Sequence, residues 1–457
     1  WPGTKRLVYR KGWLDRFMRA LLRMVEQDEI RMVTYGTALR ELPSAGIAYL
    51  ASASYREMEE WALPPEAFQR LERLKSDLGK ERASGDDAGL IRGSHWRNFM
   101  VRYPEANRMH KKAVALSELC RERGNSEGAR RAIGRAQCND AYWHGVFGGL
   151  YLTHLRDAVW ANLAAAEGEL RQGEPLQFEM RDVDLDGHIE VSIHSSRFAA
   201  VVSPARSGQV EELTFFGPAV NAANTLTRRR EAYHLAGALG QEQDGAAGDR
   251  APDDEEHTPS IHEIEGALIF AEPPPVDPHD RAIFVESLLP PEASEDAYRR
   301  GEVEALASWA GRPLTLESVH YQTAPDEGAA IRVVLSDAAS GFLEKSLTFL
   351  EDGSLEVHYR WEVSTAPAPA RFATEISLSA DMTVTPSPKG EVWSFPVTTF
   401  SKSERGFDET IQGTNVTILW PAETGEARVR IEWPSPPASR EDPTSNDTAA
   451  DTAAAAS

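Results

Sequence analysis

Apolar residues recur every three to four positions through the first 170 residues, a spacing typical of helices that bury one face. Trp13, Phe17 and Leu21 fall on one such face, and Leu155 and Val159 fall on another. Proline in a first turn also favours a helix start, as in the sequence 63–66. Residues 55–170 are therefore predicted to form a helical central domain.

The chain before this region combines a predicted helix with a predicted strand. The helix carries Trp13 and Phe17, and the apolar sequence 46–50 then favours a β-strand. A helix followed by a buried strand is the repeating unit of an α/β barrel. Residues 1–54 are therefore predicted to form the C-terminal part of a barrel.

After residue 172 the period changes from helical to two, which is typical of strands with one buried face. Residues 189–193, 355–359 and 427–431 alternate in this way, and Asp352-Gly353 favours a hairpin turn. Many short strands without intervening helices predict a large antiparallel β-sandwich over 171–434. The fold class predicted for the whole chain is thus multidomain α+β.

Two polar segments have the composition of loops. Residues 241–256 are rich in Gly, Ala, Asp and Glu, and predict a solvated loop within the sandwich. Residues 435–457 consist mainly of Pro, Ser, Thr, Asp and Ala, and predict a disordered tail.

The net charge of the chain limits the kinds of molecule that it is expected to bind. The chain has 49 basic and 71 acidic residues, a net charge of −22, whereas nucleic acids and anionic membranes both favour a basic face. A neutral substrate is compatible with this balance. Two cysteines, no signal peptide and no apolar run of membrane-spanning length favour a cytoplasmic protein. The sequence leaves open whether the chain forms a homo-oligomer.

Residues 136–149 carry the strongest candidate chemistry, because amides, a carboxylate, aromatic rings and glycines occur together. Asp140 and Trp143 are three residues apart and would share one face of a helix. A carboxylate can hold sugar hydroxyls while an indole stacks on the ring. The alternative is that Asp140 caps a helix and Trp143 packs in the core. His144 could serve as a structural hydrogen-bond donor or take part in catalysis.

A second candidate site is acidic and resembles a cation-binding loop. Asp182, Asp184 and Asp186 alternate before Gly187, with His188 and Glu190 following. Calcium prefers several oxygen ligands, and a glycine permits the tight turn. Position twelve is Ile193 instead of a bidentate glutamate, and the flanks predict strands. A structural Ca²⁺ and an acidic turn without metal both remain open; no organic cofactor is expected.

Several long segments resemble the 4-α-glucanotransferase and α-amylase group of glycoside hydrolase family 57. Residues 137–152 are similar to a conserved motif of its catalytic region, and residues 53–61, 95–99 and 103–111 to its central helical domain. Residues 1–4 and 11–14 resemble the part of the barrel that follows an earlier conserved motif, and residues 224–234 resemble its C-terminal domain. The resemblance covers most of the chain.

The resemblance implies an enzyme that acts on α-1,4-glucans and maltooligosaccharides through a glycosyl-enzyme intermediate with retention of configuration. It matches Trp1, Asp140 and Trp143 to substrate-binding positions. The family's catalytic glutamate and aspartate are expected before Trp1, so residues 1–54 are expected to be the end of an incomplete (β/α)7 barrel and the chain alone inactive. Transfer to a sugar, hydrolysis as in an α-amylase, and a non-catalytic glucan-binding scaffold remain as alternatives.

Overall fold

A computed structural model describes most of the chain, with gaps. The described ranges are 4–49, 54–85, 87–144, 148–238, 273–324, 328–337, 342–362, 369–403 and 406–433. Trp1, the predicted loop at 241–256 and the predicted tail at 435–457 therefore lie outside the described residues. The confirmed part of the predicted fold class is its mixture of helices and antiparallel sheets.

The helices lie mainly in the first 170 residues. The α-helices are α1 (Trp13–Glu26), α2 (Tyr35–Glu41), α3 (Arg56–Trp61), α4 (Pro65–Ser84), α5 (Arg97–Arg102), α6 (Pro104–Glu122), α7 (Glu127–Ala136), α8 (Thr153–Leu170), α9 (Ala232–Ala238) and α10 (Glu295–Arg300). Helices α4 and α6 each begin at a proline, whose missing N–H costs nothing in a first turn.

The predicted strand at 46–50 is wrong for the part that the structure describes. Residues 46–49 have no regular secondary structure, and the side chains of Ile47 and Tyr49 are fully exposed. An extended segment becomes a strand only when a neighbour pairs with its backbone N–H and C=O groups. No described strand lies beside this segment, so its apolar composition alone does not produce a strand.

Helices α3 and α5–α8 enclose one apolar core. Phe99, Met109, Ile133 and Leu163 are among its buried members. Helix α8 is buried over much of its surface because it lies between the other helices and the sheets, and Lys112 of α6 forms ion pairs with Glu167 of α8. No helix in the described ranges is long and apolar enough to cross a bilayer.

The strands follow from residue 177 onward. They are β1 (Gln177–Arg181), β2 (Glu190–His194), β3 (Phe198–Ser203), β4 (Gln209–Phe215), β5 (Val220–Asn221), β6 (Ile283–Leu289), β7 (Ala307–Ser308), β8 (Thr315–Ala324), β9 (Gly328–Asp337), β10 (Phe342–Leu350), β11 (Leu355–Glu362), β12 (Arg371–Leu378), β13 (Thr383–Ser387), β14 (Glu391–Ser403), β15 (Gly406–Pro421) and β16 (Glu426–Glu432).

These strands form two antiparallel sheets with a common core, the arrangement of a β-sandwich. One sheet has the order β1-β2-β3-β4-β6-β12-β15-β14, and the other has the order β13-β16-β11-β10-β9-β8. Phe198 and Phe372 from the first sheet pack in one cluster with Val333 and Tyr359 from the second. The predicted hairpin at Asp352-Gly353 is confirmed, since β10 pairs with β11 across it.

Candidate functional site

Asn139 joins the two predicted sugar-binding residues. A short 3₁₀-helix, Asn139–Tyr142, follows α7, and Trp143 then adopts an extended backbone. The Asn139 amide donates through Nδ2 to Asp140 Oδ1 at 3.0 Å, and its Oδ1 accepts from Trp143 Nε1 at 2.9 Å. Asp140 and Trp143 are therefore held together by a neighbouring side chain, and not by the shared face of an α-helix.

Aromatic rings from α3 and from the residue just before it pack around Trp143. The Trp143 and Trp61 rings stack with centroids 5.5 Å apart and an interplanar angle of 17°. Tyr55 contacts Trp143 edge-on at 5.6 Å and is itself half exposed. The structure thus builds an aromatic wall, defined here as Tyr55, Trp61 and Trp143, in which Trp143 belongs to the segment that contains Asp140.

A cavity of about 450 Å³ opens beside this wall, within the range typical of small-molecule sites. Trp143 is the wall residue that lines it, together with Asn139, whereas Tyr55, Trp61 and Asp140 are not among the described lining residues. The remaining lining residues are Met58, Trp96, Phe99, Met100, His110, Ala113, Val114, Ser117, Gln137 and Tyr142. Apolar surface with a few amides and an imidazole is suited to a ring that has both C–H faces and hydroxyls.

Behind the wall lies a buried polar network centred on Glu231. Its Oε1 accepts hydrogen bonds from the hydroxyls of Tyr103 and Tyr151, and its Oε2 accepts one from Arg102 at 2.5 Å. Arg102 also donates to the carbonyl of Trp61 at 3.1 Å. The network therefore holds the backbone that carries Trp61.

His144 belongs to this network and is a structural donor. Its Nε2 lies 2.8 Å from the Tyr103 hydroxyl. Because that hydroxyl gives its own proton to Glu231, His144 donates from Nε2–H, a tautomer inferred from the hydrogen bonds. Burial lowers the pKa of His144 to about 4, although the charge of Glu231 acts in the opposite direction. The ring is therefore neutral at neutral pH.

Ionised Glu231 is stabilised by its partners. Burial alone would raise its pKa, but His144, Arg102 and the hydrogen bonds from Tyr103 and Tyr151 hold the pKa below its usual value. We attribute most of this stabilisation to Arg102, because His144 is uncharged at neutral pH. A carboxylate paired in this way serves as a fixed anchor.

The loop after the wall is anchored to the sandwich. Arg156 of α8 is fully buried and donates to the carbonyl of Leu150 and, at 2.6 Å, to Oε1 of Gln412 on β15. Gln412 in turn donates to the carbonyl of Tyr151 at 2.8 Å. The segment that carries the wall is thus attached to strand β15 as well as to the helices.

The acidic loop between β1 and β2 brings some of its predicted ligands together. Carboxylate oxygens of Asp182, Asp184 and Glu190 lie within 4.8 Å of one another. The Asp186 carboxylate instead accepts from the backbone N–H of His188 and pairs with Arg206 at 3.3 Å. His188 is exposed. Trp1 lies outside the described residues and stays a prediction.

Sequence reasoning missed the partners of the predicted residues. Tyr55 and Trp61 lie in the segment 53–61, and Glu231 lies in the segment 224–234, but the patterns there indicate no contact with Trp143 or His144. The available signal was the density of aromatic and charged residues in each segment. Contacts over such sequence separations appear only when the chain is folded.

Comparison with known proteins places both main regions in one family. A family model described as alpha-amylase/4-alpha-glucanotransferase, middle domain, matches residues 94–170. The model of the C-terminal domain of the same name matches residues 182–387 and 378–432. Together they cover the wall segment around Trp143, the acidic loop and the sandwich.

The names of similar proteins agree with these family models. A 4-alpha-glucanotransferase of Thermococcus kodakarensis is 34% identical over 95% of this chain and 66% of its own length. An alpha-amylase of Pyrococcus abyssi is 32% identical over 92% of this chain and 64% of its own. A solved 4-alpha-glucanotransferase of Thermococcus litoralis superposes with a TM-score of 0.66 at 30% identity, over 92% of this chain and 65% of that one.

The chain thus spans about two thirds of the length of the curated relatives it matches. More than half of it, residues 182–432, is covered by the model of the C-terminal domain alone. The resemblance inferred from its motifs is confirmed, and the chain belongs to the alpha-amylase/4-alpha-glucanotransferase family.

Proposed function

We propose that this chain forms the helical side of a substrate cleft for α-1,4-glucans in a 4-α-glucanotransferase. The observation that carries the proposal is the aromatic wall of Tyr55, Trp61 and Trp143. Its Trp143 lines a 450 Å³ cavity and lies on the same segment as the exposed carboxylate of Asp140. Indoles bind the C–H face of a glucose unit, and a carboxylate accepts hydrogen bonds from its hydroxyls.

The reaction we propose is transfer of a glucan from one chain end to another with retention at the anomeric carbon. The names of the Thermococcus relatives support transfer, and the solved Thermococcus litoralis structure superposes over most of this chain. Family resemblance assigns neither catalytic carboxylate to a residue of this chain. We therefore expect the 457-residue chain to bind maltooligosaccharides without converting them.

Hydrolysis of α-1,4-glucans is the second candidate, because relatives of similar identity carry the name alpha-amylase. The two reactions differ in whether a sugar or water attacks the glycosyl-enzyme. Product analysis with maltotriose separates them when the gene's full reading frame is expressed. Glucose with longer oligomers indicates transfer, shorter sugars alone indicate hydrolysis, and no conversion indicates a glucan-binding scaffold.

We propose that residues 4–49 belong to a barrel that lies across the cleft from the wall. The proposal is supported by α1, whose large apolar side chains, among them Trp13, Phe17 and Leu22, are exposed. The helix buries none of its residues against the rest of the described chain. A face of this kind is normally covered in a folded protein.

Calorimetric titration of the 457-residue chain with maltoheptaose tests the binding site directly. Trp143→Ala removes a stacking ring, and Asp140→Asn removes a charged acceptor; each is expected to weaken binding about tenfold. Tyr321→Ala and Asp381→Asn are matched controls, because both side chains are exposed on the sandwich.

The proposal is contradicted if the wild-type chain binds no maltoheptaose, or if the two controls weaken binding as much as the two site variants. Thermal melts of all five proteins separate loss of binding from loss of folding. A Trp143 variant that melts like wild type yet binds weakly supports a direct contact with the sugar.

A further inference from the structure

Three carboxylates converge in the turn between β1 and β2. Oxygens of Asp182, Asp184 and Glu190 lie within 4.8 Å of one another, and the side chains of Asp184 and Glu190 are almost fully buried. Arg206 lies 3.7 Å from Asp184 Oδ2 and also pairs with Asp186 and Glu211. The positive charges of Arg108 and Lys111 also attract the Asp184 carboxylate, but none of these cations donates to its Oδ1. Like charges at this spacing repel strongly when water is excluded.

One oxygen of the cluster has no hydrogen-bond partner among the described residues. Asp184 Oδ1 is buried and unpaired, and the residue is only 4% exposed. A buried carboxylate oxygen without a donor is costly, and such an atom in a folded protein calls for an explanation. A bound cation would satisfy it.

The other contacts of the loop are explained without a ligand. Asp182 accepts from the backbone N–H groups of Asp186 and Gly187, at 3.1 and 3.0 Å, which closes the turn. Glu190 Oε2 accepts from Val183 N–H at 2.9 Å. These bonds orient two carboxylates toward the same point but leave the buried oxygen of Asp184 unpaired.

The electrostatics agree with this geometry. The side chains of Asp184 and Glu190 are almost fully buried, and the carboxylates of Asp186 and Glu211 add negative charge beside them. Folding thus brings acids together at an electrostatic cost, which a divalent cation would remove.

We propose that Asp182, Asp184 and Glu190 bind one divalent cation, of which Ca²⁺ is the best chemical match. All three offer oxygen, the ligand atom that Ca²⁺ prefers, whereas Zn²⁺ favours nitrogen and sulfur. Mg²⁺ requires near-ideal octahedral geometry, but Ca²⁺ accepts an irregular set completed by water. Asp186 and His188, predicted as ligands from the sequence, are assigned to the turn instead.

The cation would stabilise the contact between the first hairpin of the sandwich and helix α6. Asn107 of α6 donates to the carbonyl of Asp184 at 2.7 Å, so the loop that holds the cation also contacts the helix. Arg108, the next residue on α6, pairs with Glu211 of β4 at 2.9 Å. The role proposed is structural and is independent of glucan binding.

The test is calorimetry and thermal melting of the chelator-treated 457-residue chain with CaCl₂. Wild type is expected to bind one equivalent and to melt about 3–5 °C higher at saturating Ca²⁺. Asp184→Asn and Glu190→Gln are expected to lose both the heat and the shift. Asp186→Asn, in the same loop but outside the cluster, is the matched control and keeps them.

The Ca²⁺-dependent shift is the readout, so a variant that is simply less stable remains informative. Absence of heat and shift in wild type overturns the proposal, as does unchanged binding in Asp184→Asn. Equal or tighter binding of MgCl₂ overturns the choice of Ca²⁺. Titration with maltoheptaose in chelator stays unchanged if the two sites are independent, so failure here and failure of the proposed function are distinguishable.

Discussion

At the scale of single residues, Asn139 orients both predicted sugar contacts, so its removal is expected to affect binding more than folding. Asn139→Ala deletes the bonds to Asp140 and Trp143. The side chain is exposed, which limits the cost in stability to a few tenths of a kcal/mol. Maltoheptaose affinity measured by calorimetry is expected to fall about fivefold, the equivalent of ~1 kcal/mol.

Asn162→Ala is the matched control for this substitution. Its amide donates to the Ala158 carbonyl on α8, away from the aromatic wall. Equal losses of affinity in the two variants would contradict an orienting role for Asn139. A large drop in the melting temperature of Asn139→Ala would show instead that the residue mainly supports the fold.

His144 is expected to make the fold sensitive to acid. Its pKa is about 4 in the folded chain, against 6.5 for an ordinary histidine, because the ring is buried. As pH falls from about 6.5 toward 4, His144 becomes protonated in the unfolded chain but stays neutral in the folded chain. The stability contributed by neutral His144 is therefore complete above this window and is lost on acidification, by at most ~3 kcal/mol.

Urea midpoints across this pH window, for wild type and His144→Asn, measure the effect. Asparagine keeps an N–H donor near Tyr103 but does not titrate. Other buried histidines with lowered pKa, such as His194 and His234, contribute to both proteins. The difference between the two pH profiles isolates His144, and parallel profiles would show that its ring is not the acid-sensitive group.

Local patterns predict which residue types are suited to a site but not how they are paired. Asp140 and Trp143 could be singled out because the chemistry is dense within a few residues. The Trp61 ring that stacks on Trp143 lies some eighty positions earlier, and Glu231 lies a similar distance after His144. Such pairs depend on how helices pack, which a single sequence does not determine.

At the scale of elements, the backbone at Trp143 depends on the close approach of Gly149, which follows it in the chain. Its φ is +50°, and a Cβ there would lie 2.1 Å from the carbonyl oxygen of Trp143. Gly149→Ala must therefore displace the backbone of Trp143. Thermal melting is expected to show a loss of ~2 kcal/mol or more, and maltoheptaose binding is expected to weaken as well.

Gly134→Ala is the opposite case. This glycine lies within α7, and a Cβ there would meet nothing within 4 Å. Alanine favours the helix, so a gain of about 0.5–1 kcal/mol is expected with unchanged binding. If the two alanine variants melt alike, the strain assigned to Gly149 is absent.

Periodicity predicted elements well where burial is one-sided. β11 alternates between inward and outward residues, and its strand was evident from Leu355, Val357 and Tyr359. The failure at 46–49 has the same physical origin, because a strand is defined by its neighbour as much as by its own residues. Composition favours an extended chain at 46–49, but pairing into a sheet depends on whether another strand lies beside it.

At the scale of the whole molecule, helices and sandwich have separate apolar cores that are joined by buried charge. Lys112 of α6 pairs with Glu167 of α8 at 2.6 Å and with Glu212 of β4 at 2.9 Å. Arg156 makes a similar connection from α8 to β15. Buried pairs of this kind are sensitive to position, and they set how the wall lies against the sheet.

The chain has a net charge of −22. Its two proposed sites should still respond differently to salt, because their ligands differ in charge. A glucan is neutral, so its affinity should change less than about twofold between roughly 50 and 500 mM NaCl. Ca²⁺ at Asp182, Asp184 and Glu190 is held by charge, and its affinity should fall markedly over the same range. Parallel calorimetric titrations measure both. A strongly salt-dependent maltoheptaose affinity would contradict recognition by stacking and hydrogen bonds, and a salt-independent Ca²⁺ affinity would contradict binding by three carboxylates.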